Sequence, residues 1–86
     1  MYELVFLKQP RKKLFSLSKK VSRSIIQKME EIAKDPYKKN NNVEKLQGVE
    51  GFRLRQGDWR VIYKVEKAVI TVVVVKIESR GEVYKK

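Results

Sequence analysis

The stretch FRLRQGDWRVIYKV, residues 52–65, places Arg53, Arg55 and Arg60 around a Gly57-Asp58 pair. A guanidinium donates bidentately to phosphate through a planar fork, so three of them on one short segment have the chemistry of a polyanion clamp. A two-residue Gly-Asp loop between runs of strand formers signals a β-hairpin. Such a loop pairs Gln56 with Trp59, Arg55 with Arg60, Leu54 with Val61 and Phe52 with Tyr63. Alternation then divides the hairpin into two faces. Phe52, Leu54, Trp59, Val61 and Tyr63 form a core-like face, and Arg53, Arg55, Arg60, Ile62 and Lys64 form the other. Arg55 directly opposite Arg60 costs a sheet about 0.2–1 kcal/mol. Within the segment only Asp58 offsets it. An anion held across that face would turn the repulsion into a binding site; a plain solvated basic face is the alternative.

Net charge points the same way. The 86 residues carry 21 Lys+Arg against 10 Asp+Glu, a formal charge of +11, which favours a polyanionic partner: nucleic acid, an anionic membrane surface or an acidic protein. The chain has no cysteine and no histidine. Disulfides and thiolate metal sites are therefore excluded, and the usual neutral-pH base is missing. The chemistry left must run on Lys, Arg, Tyr or carboxylates. Besides the hairpin arginines, the candidates are Lys45, Lys64 and Lys76, as phosphate contacts or participants in proton transfer, and Arg80 and Tyr84 in the closing SRGEVYKK. Tyr84 suits base stacking or proton donation, or simply covers a sheet edge.

The elements that must position these residues are legible in outline. Residues 2–7 are rich in strand formers. Pro10 fits the first turn of a helix. Leu14, Leu17, Val21, Ile25, Met29 and Ile32 recur at spacings of three and four, an apolar helical stripe that SLSKK interrupts, with Ser18 a candidate N-cap. Asp35-Pro36 closes the helical region. YKKNNN is a polar loop, and VEKLQGVEG leads through two glycines into the hairpin. VITVVVVKI is a continuous β-branched run of the kind found in central strands. The expected fold is α+β: a helical hairpin on one face of a mainly antiparallel, roughly four-stranded sheet, β-α-α-β-β-β, with GEVYKK a candidate short last strand. One domain spans residues 1–86. The run AVITVVVV is far too short to span a bilayer, which needs roughly 20 residues, and MYELVFL lacks the pattern of a signal peptide; a cytoplasmic location is expected.

KLQG, FRLRQGDWRVIYKV and VVVVKIESRGEVYK, in this order and spacing, resemble the RelE/ParE superfamily of bacterial and archaeal toxins, and most closely its RelE branch. The resemblance covers nearly the whole chain. It implies a toxin of a type II toxin–antitoxin pair that cleaves mRNA in the ribosomal A site without metal or other cofactor, restrained by a cognate antitoxin. It places Arg60 on the family's phosphate-binding arginine, Arg80 on the arginine before EVY and Tyr84 on the tyrosine of that motif. Arg53 and Arg55 fall where such toxins carry basic residues, often lysines, and ESR replaces the GHR of many relatives. The implied reaction is attack of the 2′-OH on the adjacent phosphate, with Arg60 and Arg80 stabilising the charge that gathers there. No general base is evident from these residues. A ParE-like inhibitor of DNA gyrase and a non-catalytic RNA- or ribosome-binding module are the alternatives.

Overall fold

A computed structural model of the chain describes residues 1–79. Its elements run β1 (Glu3–Phe6), α1 (Lys8–Ser16), α2 (Lys19–Lys34), β2 (Val43–Lys45), β3 (Phe52–Gln56), β4 (Trp59–Glu66) and β5 (Thr71–Ser79), with a single 3-10 turn at Lys67–Val69. The strands form one sheet in the order β1-β5-β4-β3-β2. Neighbours are antiparallel except β1 and β5, which pair in parallel with Glu3 opposite Thr71 and Phe6 opposite Val74. The expected α+β fold is present with one strand more than expected. The addition is β2, three residues with one apolar side chain, too short and polar to announce itself; it covers the edge of β3. The candidate strand in GEVYKK lies outside the described residues. No helix among the described residues is long and apolar enough to cross a membrane.

Local rules explain the helices. Pro10 lies in the first turn of α1, where its missing N–H deprives no carbonyl of a partner, and its ring is buried. Ser18 caps α2, its Oγ accepting from the Val21 amide at 3.2 Å. Asp35 ends the helix before Pro36, its amide returning to the Ile32 carbonyl. The stripe of α2 then buries Ile25, Met29, Ile32 and Ala33 against Leu54, Val61, Tyr63, Val72, Val74 and Ile77. Each such large side chain contributes about 1.5–3 kcal/mol on leaving water. This single layer of contacts is the core.

Two backbone details set which side chains face away from it. Tyr63 pairs with Val74, but Ile62 pairs with Lys76, so Val75 is an extra residue in β5. This bulge reverses the alternation: Val72 and Val74 point to the helices before it, and Ile77 does so after it. Lys76 and Glu78 are thereby turned to the open face. Beyond the bulge β5 outruns β1, whose last partner is Val74. Gln9 of α1 fills the gap: its Nε2 donates to the Ile77 carbonyl at 3.1 Å and its Oε1 accepts from the Ile77 amide at 3.0 Å. One side-chain amide thus replaces a missing strand residue and holds the end of β5 in place.

Candidate nucleic-acid interface

The hairpin has the register that its sequence predicts. Gln56 pairs with Trp59, Arg55 with Arg60, Leu54 with Val61 and Phe52 with Tyr63. Gly57 supplies the positive φ of 60° that the first position of a type II′ turn requires. Leu54, Val61 and Tyr63 are buried against the helices. Arg53, Arg55, Arg60, Ile62 and Lys64 occupy the opposite face.

Pairing across three strands arranges that face as a grid. In one row stand Arg55, Arg60 and Glu78; in the next stand Arg53, Ile62 and Lys76. Directly opposed side chains in such rows have Cβ atoms about 4.5–5.5 Å apart. Lys64 follows on β4 opposite Val73, about 13 Å along the strand from Arg60.

Arg60, in the middle, is unlike a solvated surface arginine. Only 8% of it is exposed. Its Nη1 donates to the carbonyls of Gly57 at 3.2 Å and Trp59 at 3.1 Å, which pins the guanidinium to the turn. The side chain has thus already lost most of its rotamer freedom and water, costs that binding would otherwise meet. Arg55 is exposed, and although its amide donates to the Asn42 carbonyl at 2.8 Å, its guanidinium makes no hydrogen bond or ion pair among the described residues. Arg53 is paired with Glu44 of β2 at 3.0 Å, in solvent. The repulsion between Arg55 and Arg60 is offset by Glu78, on the far side of Arg60 and held by Lys76 Nζ at 2.8 Å. Glu78, rather than Asp58 in the turn, is the counter-charge in register with Arg60.

Lys45 pairs with Phe52, which gives it the parity opposite to the arginines; at the end of β2 it lines one groove with Tyr37, Lys38, Lys39 and Phe52 and another with Glu44, Arg53 and Ile62. Arg53, Arg55, Arg60, Lys64 and Lys76 are brought to one surface, whereas Arg80 and Tyr84 lie outside the described residues. Glu78 is the site residue that sequence reading missed. Its signal was present in VVVVKIE: simple alternation from Val72 and Val74 would bury Lys76 and Glu78 and expose Ile77, a conflict that only a bulge resolves. On the helix side Tyr63 stacks on Phe52 with ring centroids 5.4 Å apart, and burial pushes its hydroxyl up from 10.0 to about 12. It is a core residue, not a proton donor for the open face.

A family model described as the ParE toxin of type II toxin–antitoxin systems matches residues 6–84. That is most of the sequence, including strands β2 to β5 and the arginine grid. The chain belongs to the RelE/ParE toxin superfamily. Among solved structures it is similar to the archaeal RelE–RelB complex of Pyrococcus horikoshii OT3, at 31% identity over 93% of this chain and 96% of that one, with a TM-score of 0.81. It is also similar in fold to the toxin of the intact E. coli RelBE complex, with 24% identity, 92% and 96% coverage and a TM-score of 0.77. The isolated E. coli RelE toxin matches at 25% identity, 98% and 92% coverage and a TM-score of 0.75. A search of curated proteins gives no match.

Proposed function

We propose that this RelE/ParE toxin is a ribosome-dependent mRNA endonuclease, with the arginine grid as its phosphate-binding surface. The observation that carries this reading is Arg60: nearly buried, fixed to two turn carbonyls and flanked in register by Arg55. A cation held in place before the reaction stabilises developing phosphorane charge without reorganising, which is the main source of such catalysis. Arg60 and Arg80 would clamp the scissile phosphate, Arg53 and Arg55 would hold its neighbours, and Tyr84 would stack on a base or assist proton transfer. With no histidine to serve as base, positioning by the ribosome carries much of the rate, so free RNA is cut poorly. The RelE neighbours from P. horikoshii and E. coli were solved with RelB. By analogy a cognate antitoxin restrains this chain, with an acidic segment laid on the basic face.

The test is translation of a defined message in a purified ribosomal system, with breaks mapped by primer extension. Wild type should cut within A-site codons only when ribosomes are present, and Arg60→Ala should lower the rate by about 100–1,000-fold. Robust cutting of free RNA would remove the ribosome dependence. The family match to ParE toxins favours gyrase inhibition as a second reading. In that case messages stay intact and purified gyrase loses supercoiling activity. Stalled translation of an intact message would make the face a binding surface.

A further inference from the structure

The grid contains a group that the phosphate-clamp reading leaves unused. Glu78 stands directly across from Arg60 on β5, its side chain 20% exposed. Lys76, two residues earlier on the same face, holds one carboxylate oxygen at 2.8 Å, and the other has no hydrogen-bond or ion-pair partner among the described residues. The remaining carboxylates on this face are elsewhere. Glu44 is engaged by Arg53 at the β2 edge, and Glu66 and Glu3 are at the opposite end of the sheet, beside Thr71. Glu66 is six residues along β4 from Arg60, about 20 Å away.

We propose that Glu78 is the general base of the cleavage reaction; this rests on the nuclease reading above. A phosphate seated on Arg60 brings the adjacent ribose within reach of the next strand, about 4.8 Å away, where Glu78 is the nearest carboxylate in register. Carboxylates are ionised at neutral pH, while Arg and Lys are protonated, so among the grid residues Glu78 alone can accept a proton there. The 2′-O–H bond breaks, its proton passing to a Glu78 oxygen while the 2′ oxygen bonds to phosphorus. The bond from phosphorus to the 5′ oxygen then breaks, and that oxygen leaves with the electron pair and takes a proton from water. Glu78 returns its proton to solvent. The products are a 2′,3′-cyclic phosphate and a 5′-hydroxyl, with no net proton change. Lys76 fixes the orientation of the carboxylate. The bulge at Val75 and the Gln9 clamp on Ile77 place Glu78 on the open face.

The experiment compares wild type, Glu78→Gln and Glu78→Asp in single-turnover cleavage on programmed ribosomes, with toxin–ribosome affinity and thermal melting measured alongside. Gln keeps the size and hydrogen bonds of the side chain but not its basicity. Glu78→Gln should slow cleavage at saturating toxin by about 100-fold or more, while affinity stays within about threefold and melting stays cooperative. Glu78→Asp should recover much of the rate. Cleavage by Glu78→Gln within about threefold of wild type, or a loss that appears wholly as weaker binding or melting, would leave Glu78 as a counter-charge only and overturn the proposal. A wild type that leaves the message intact instead removes the nuclease reading, and the proposal with it.

Discussion

On β3, Leu54 is fully buried while its neighbours Arg53 and Arg55 stand on the opposite face of the same strand. The helix-side face of the sheet is held by area: Leu54, Val61, Val72, Val74 and Ile77 are each 0% exposed and contribute through contact with α2. The open face is held by almost nothing of its own. Its ion pairs among the described residues include Arg53 with Glu44 and Lys76 with Glu78, which are partly exposed and belong to a class worth about 0–1 kcal/mol. One face therefore carries the stability that allows the other to hold like charges side by side. Arg60 is the exception that joins them, a charged side chain of the open face that is itself nearly buried.

The sharpest way to break this division is to compare truncations on the two faces of β3. Leu54→Ala should cost about 2–5 kcal/mol in urea unfolding, because the cavity it leaves is fully enclosed. Removing both Arg53 and Arg55 should change stability by less than about 1 kcal/mol. An arginine double variant as unstable as Leu54→Ala would mean that the basic face is structural.

A smaller effect concerns Tyr63. Its proton is held more tightly in the folded chain, near 12, than in the unfolded one, near 10.0. The stabilisation is therefore fully present below pH 10 and declines as pH rises from there towards 12, by at most about 2–3 kcal/mol. Unfolding midpoints followed from pH 9 upwards should show this decline in wild type and lack it in Tyr63→Phe. Parallel curves for the two proteins would place the hydroxyl in a wetter setting than its burial indicates.

The smallest effect tests the repulsion itself. Arg55→Ala removes a like charge opposite Arg60 and, among the described residues, no ion pair. Stability should be unchanged or rise by about 0.2–1 kcal/mol at low ionic strength, and the gain should fade as salt screens the pair. A clear loss of stability would show that Glu78 draws Arg55 as well as Arg60 into a favourable network.

Much of this was readable from local rules. The helical stripe, the Ser18 cap, the stop at Asp35-Pro36 and the two-residue turn each depend on a few adjacent residues, and each is where those residues place it. Strand β2 was missed because its pairing with β3, not its composition, makes Val43–Lys45 a strand. The same pairing fixes the parity of Lys45, which the sequence offered only as a candidate phosphate contact.

What the amino-acid order determined by itself is the alternation within the hairpin, since side chains of a strand point to opposite faces whatever surrounds it, and with it the row of Arg53, Arg55 and Arg60. What only the tertiary structure decided is how distant segments complete that row. The bulge at Val75 arises from docking Val74 and Ile77 into one core, and Gln9 secures it across 68 positions of sequence. The side of the sheet on which Glu78 emerges is set by those contacts, because a strand's register is fixed by what its apolar residues must pack against.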